Sequence, residues 1–241
     1  MMNIKKQYLK GLSNGLPIGI GYLSVSFAFG IFAIANGLSS LEAVLISMTN
    51  LTSAGQLAAV PIIAGGGAFI EIIVSQLIIN LRYALMSISL SQKLHKNTKL
   101  YERLIIAFGN TDEIFAVAIS NPNEVTSAYM YGLITSPFLG WSLGTLIGAV
   151  AGNILPAIIT SALGVAIYGM FVAIVVPVVK KEKNTALCVL LAVALSCAFK
   201  YIKPLSVVPS GFVIIICAVT ASIIFAIAAP IKTETEDIQN A

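Results

Sequence analysis

Arg82 lies near the middle of an apolar stretch spanning 68–90, and two carboxylates, Asp112 and Glu113, interrupt another spanning 104–120. A cation at the centre of a membrane span costs roughly 2.5–3.5 kcal/mol even on insertion scales, so Arg82 needs an anion. Glu71 is on the same helix but about 16 Å away along its axis, out of direct reach. Asp112 and Glu113 are the other acidic residues inside an apolar segment and away from its ends. They are the expected partners of Arg82, either in a fixed ion pair or around a substrate.

Two interruptions carry further candidates. Thr49-Asn50-Leu51-Thr52-Ser53-Ala54-Gly55-Gln56 breaks the apolar stretch 41–64, and Gly109-Asn110-Thr111-Asp112-Glu113 breaks 104–120. Ser53-x-x-Gln56 and Asn110-x-x-Glu113 both have the capping-box form, 57 residues apart, in which the first side chain accepts from orphan helix N–H groups and the fourth reaches back. The pattern predicts a degenerate internal repeat of two short helices that begin at membrane depth. Secondary transporters aim such N-termini at a midplane site, although polar kinks of this kind also occur simply packed against neighbouring helices. With Asn80 from the third stretch, the predicted substrate-binding or gating set is Arg82, Asp112, Glu113, Asn110, Ser53, Gln56 and Asn80. A cation, two helix N-termini and a carboxylate can hold both ends of a zwitterion, while Leu, Ile, Val and Ala supply an apolar wall. An apolar amino acid fits that inventory better than a sugar or an inorganic ion.

The elements that must position these groups are apolar helices. Of 241 residues, 58% are hydrophobic and only 10% charged, with a mean hydropathy of +0.95, against about a quarter charged in a soluble domain. Eight apolar segments can be drawn, over 16–36, 41–64, 68–90, 104–120, 128–150, 157–179, 185–199 and 208–229. Threading all eight straight through places the basic loop 93–103 outside, against the positive-inside tendency. Making the second and fourth re-entrant removes the conflict. The expected fold is thus an all-α polytopic helical bundle of about six full spans plus two broken or re-entrant segments. It forms one transmembrane domain over 1–241 with both termini cytoplasmic, and only the short 200–203 turn carries lysines on the wrong side.

The third segment is polar on two stripes, Glu71-Ser75-Arg82-Ser89 and Gln76-Asn80-Tyr83-Ser87. It is expected inside the bundle, with one stripe toward a cavity and the other toward packed helices or a partner subunit. The first segment reads as an uncleaved span rather than a signal peptide, and the tail 233–241 as disordered. Glu42 reads as a helix N-terminal charge and His95 as a solvated loop residue. Cys188, Cys197 and Cys217 have no metal or disulfide spacing, and the basic clusters suit anionic lipid headgroups rather than nucleic acid. No cofactor or metal site is expected. Nor is an enzyme: there is no intramembrane His, no HExxH motif and no P-loop. A non-transporting scaffold or channel subunit is the alternative, with an intramembrane hydrolase behind it.

In order and spacing, Gly15-Leu16-Pro17, Ser53-Ala54-Gly55-Gln56, Asn80-Leu81-Arg82-Tyr83 and Asp112-Glu113 resemble the AzlC family, the large subunits of branched-chain amino acid exporters. The resemblance runs over most of the chain. It implies export of valine, leucine, isoleucine and methionine across the cytoplasmic membrane, together with a small AzlD-like membrane subunit. Tyr83 stands where a histidine often follows the arginine, and Ala54-Gly55-Gln56 where other members carry Gly-Ala-Ser-Gln-like residues. These departures bear on proton coupling and on substrate choice.

Overall fold

Helix α1 (Ile4–Ala35) starts well before the apolar run at Leu16, because Asn3 caps it by accepting from the Lys5 N–H at 3.1 Å. Hydropathy marks only the part of a helix that meets hydrocarbon, so Lys5, Lys6 and Lys10 ride on its first turns. The computed structural model describes residues 3–156, 182–205 and 207–229, with isolated positions between 157 and 181. The helices that follow are α2 (Ser40–Thr49), α3 (Ser53–Ala64), α4 (Phe69–Lys93), α5 (Leu100–Phe108), α6 (Asp112–Ile119), α7 (Ser127–Ile154), α8 (Lys183–Tyr201) and α9 (Ser210–Ala228). Five of them, α1, α4, α7, α8 and α9, are long and apolar enough to cross a membrane, which makes this a multi-pass α-helical membrane protein. Most of the sixth predicted segment, 157–179, and the whole tail 233–241 lie outside the described residues.

Helices α1 and α7 run parallel along a glycine seam. A Cβ at Gly15, Gly19 or Gly30 of α1, or at Gly140, Gly144 or Gly148 of α7, would land within 3.0 Å of the partner helix's backbone. Small residues let apolar helices approach until their backbones touch, which gives packing energy that lipid cannot match. At the near end, Thr126 donates to Gln7. There too the chain leaving α4 pairs with the chain entering α7, Val125 N–H donating to Lys93 O at 3.0 Å and His95 N–H to Val125 O at 2.9 Å. Helix α4 therefore runs antiparallel to α1 and α7.

That direction sets the ends from which the short helices enter. Asn153 at the far end of α7 reaches Ser40 at 3.0 Å, so α2 starts where α1 ended, and α4 starts at that same end. The α2–α3 pair therefore dips in from the far end and returns to it, turning at Asn50–Thr52. The α5–α6 pair dips in from the near end and returns there, turning at Gly109–Thr111. Both far-end turns need a left-handed glycine, Gly37 at φ +89° and Gly66 at φ +67°. Each end has its own apolar core: Leu90, Ile106, Ile114, Met130 and Leu133 at the near end, and Phe29, Ala33, Leu38, Val60 and Ala149 at the far end. Polar groups lie between them.

Two local expectations fail. Ser53 and Asn110 are not caps: the N-caps are Thr52 and Thr111, 59 residues apart, and only Thr111 caps with its side chain, accepting from Ile114 N–H at 3.5 Å. Gln56 turns away from its own helix start to satisfy carbonyls of the chain break. Helix α4 is also not enclosed, since a third face of Ile70, Ile73, Leu77, Leu81, Leu85 and Ile88 is exposed. Two polar stripes leave room on a helix for one apolar stripe at i, i+3 and i+4 spacing. Glu42 does behave as expected, closing a capping box with Ser39.

Candidate functional site

The two breaks meet at mid-span and enclose a cavity of about 610 Å³. Its polar wall is Arg82, Asp112, Glu113, Tyr22, Tyr83 and Ser53; Ile18, Val25, Leu51, Ala54 and Trp141 form the apolar side. Arg82 Nη1 donates to Asp112 Oδ1 at 2.9 Å and lies 2.7 Å from Oδ2. Its Nη2 donates to Tyr83 Oη at 3.0 Å, and the guanidinium lies 4.7 Å from the Tyr83 ring centroid. Charge, hydrogen bond and π-face together fix an arginine that is still about half exposed to the cavity. Tyr83 reaches across to Thr52 at 3.5 Å, which ties the arginine to the first break.

Glu113 is held differently. Tyr22 donates to it and also lies 2.8 Å from Thr111 Oγ1, and Glu113 forms no ion pair among the described residues. Tyr22 packs edge-on against Trp141, centroids 5.2 Å apart. Trp141 Nε1 donates to Gln56 Oε1 at 3.2 Å, and Gln56 Nε2 donates to Asn50 O at 2.5 Å and Ile46 O at 3.3 Å. Gln56 is thus a fully buried tie that holds the α2–α3 break open as backbone.

Four predicted residues, Arg82, Asp112, Glu113 and Ser53, line the one cavity. Asn80 and Asn110 stand behind its wall: Asn80 donates to Gln76 Oε1 at 3.2 Å and Asn110 to Ser87 Oγ at 3.3 Å, each leaving a buried carbonyl oxygen without a partner. Arg82 does not follow its predicted stripe, because its long side chain swings to the Tyr83 side. Glu71, on that stripe, instead accepts from Gly211 N–H at 2.6 Å and anchors the start of α9. Tyr22, Thr111 and Trp141 were not singled out by sequence, since an aromatic or a threonine in an apolar helix carries no periodic signal. No group of three His, Cys, Asp or Glu among the described residues can hold a metal ion.

The polar lining residues and Trp141 all fall within residues 17–155, the part of the chain that matches the family profile described as AzlC protein. The chain belongs to the AzlC family. It is 30% identical over 190 residues to the inner membrane protein YgaZ of Escherichia coli, covering 76% of each chain. It is 33% identical to an uncharacterized membrane protein of Archaeoglobus fulgidus, over 72% of this chain and 76% of that one. Identity to the branched-chain amino acid transport protein AzlC of Bacillus subtilis is 25%, over 70% of this chain and 66% of that one. No solved structure matches it. In this AzlC-family chain, the tyrosine at 83 is part of the cavity wall.

Proposed function

We propose that this protein is the large subunit of a secondary transporter that exports branched-chain amino acids across the cytoplasmic membrane with a small AzlD-like membrane subunit. The observation that carries this reading is the mid-span cavity with an apolar side, a carboxylate free of ion pairs at Glu113 and the first turn of α3 at Ser53 and Ala54. Helix α3 has no acidic residue in its first turn and no side-chain cap, so its orphan N–H groups and partial positive charge suit a substrate carboxylate. Glu113 suits the ammonium, and Ile18, Val25, Leu51 and Trp141 suit a branched aliphatic side chain. A volume of about 610 Å³ lies in the usual range for small-molecule sites. The printed name of the Bacillus relative points to the same substrates.

Charge supports cytoplasmic termini. Lys5, Lys6, Lys10, Lys93, Lys96, Lys99 and Arg103 gather at the near end with the start of α8, whereas Lys200 and Lys203 follow α8 at the far end. The uncovered apolar face of α4 gives the small subunit a place to sit. The test is flux of labelled leucine in proteoliposomes holding this chain with and without the small subunit. Saturable leucine movement competed by valine and isoleucine is expected; gradient-independent, unsaturable leakage would leave only a pore or scaffold.

A further inference from the structure

Asp112 and Glu113 are adjacent in sequence but differently placed. Asp112 has its counter-ion in Arg82. Glu113 opens onto the cavity and bonds a phenol. The charged and titratable groups around it are Tyr22 on α1, Arg82 and Tyr83 on α4, and Asp112 on its own helix; α3 and α7 present Ser53, Ala54 and Trp141, which do not titrate. Arg82 and Asp112 cancel, so an ionised Glu113 leaves the empty cavity with one net negative charge at mid-membrane depth. That arrangement is costly, and two cations can relieve it: a proton or an ammonium group.

We infer that Glu113 is where the ammonium of the substrate and a proton displace one another, with Tyr22 and Thr111 as the hydroxyl chain that supports both states. This rests on the amino-acid transport reading above. Each hydroxyl offers one hydrogen and two lone pairs. With Glu113 ionised, Thr111 donates to Tyr22 and Tyr22 donates to Glu113. With Glu113 neutral, its own O–H donates to Tyr22 Oη, and Tyr22 donates to Thr111 Oγ1 across the same 2.8 Å. Thr111 Oγ1 continues to accept from Ile114 N–H in either case. The chain reverses by turning hydroxyl hydrogens, with no heavy atom displaced. Asp112 has no such chain; its partner is Arg82.

The balance follows. A zwitterion entering the cavity pairs its ammonium with Glu113, and the carboxyl proton leaves to water on that side. When the zwitterion departs on the other side, Glu113 takes a proton from there. One proton moves inward for each amino acid exported, and one positive charge crosses per cycle.

Infrared difference spectroscopy of the reconstituted protein, leucine-loaded minus leucine-free, tests this directly, with leucine binding measured in parallel by radiolabel. A protonated-carboxyl band should vanish when leucine binds, with about one proton released per leucine to a pH dye, and the band should be missing in Glu113→Gln. Leucine binding with no change in that band would overturn the inference and leave the transport reading intact. No leucine binding at all would remove both. Should Glu113→Gln fail to fold, Tyr22→Phe retains the carboxyl and removes the middle hydroxyl. Proton-driven leucine transport should then fall about fivefold further than leucine–leucine exchange, which needs no proton, equivalent to one hydrogen bond. Equal loss in both modes would dismiss the chain.

Discussion

At the break before α3, neutral carboxamides do the tying, while at the break before α6, a threonine cap and two carboxylates occupy the first turn. Gln56 and Gln76 donate to the carbonyls of Asn50 and Gly55 at 2.5 and 2.8 Å, and the first-turn N–H groups of α3 meet neither a cap nor an acid. Thr111, Asp112 and Glu113 answer the N-terminus of α6 from within the protein. A helix N-terminus carries about half a positive charge; the break before α6 meets it with protein groups, and the break before α3 meets it with neither a side-chain cap nor an acid. On the proposed function, one device inserted twice would serve an anion at α3 and a cation at α6.

The largest effect is expected from Arg82, which pairs with Asp112 and not with Glu113. Arg82→Ala should cut export at least about a hundredfold, equivalent to about 2.7 kcal/mol. Double-mutant cycles on thermal stability should give a coupling of about 1 kcal/mol with Asp112→Asn and within about 0.5 kcal/mol of zero with Glu113→Gln. Equal coupling to both acids would erase the distinction between them. Next, Gln56→Leu should lower stability by about 2–3 kcal/mol, because it strands buried carbonyls and the Trp141 N–H. Asn110→Leu, which loses a single 3.3 Å bond and removes an unpartnered oxygen, should cost under about 1 kcal/mol in the same melts.

A sharper probe is Ser53→Pro. Proline is favoured at the first helical position, and Thr52 is already extended at φ −139°, ψ 114°. The variant should fold normally yet raise the apparent KM for leucine about tenfold by deleting one N–H donor to a carboxylate. An unchanged KM would move the carboxylate away from α3. The smallest difference separates the two caps: Thr111→Val should cost about 1 kcal/mol and Thr52→Val only a few tenths, since only Thr111 caps with its side chain.

The membrane class, the opposed broken segments and the Arg82–Asp112 pair were legible because each follows from one strong cost, that of a charge or an unpaired backbone group in hydrocarbon. The capping frame was misread by one residue at each break. Thr52 and Thr111 were the caps, but Ser53-x-x-Gln56 and Asn110-x-x-Glu113 fit a pattern whose fourth residue found better partners across the bundle. Glu71 reads from sequence only as part of one polar stripe, and it holds the start of α9, a contact 140 residues away in sequence that no local pattern encodes. Tyr22 and Trp141 were invisible for a related reason: an aromatic ring suits lipid as well as a binding site, and only the cavity separates the two.

The glycine seam has a consequence for how the chain is made. At roughly 5–20 residues per second, the ribosome needs about 6–24 s to progress from Gly15 to the stretch of α7 that it touches. Both broken segments are synthesised within that interval, before the partner that completes their surroundings exists. Their exposed amides and the charges at 82, 112 and 113 must wait in a wet compartment, so the insertion machinery has to shelter a half-built bundle until α7 arrives.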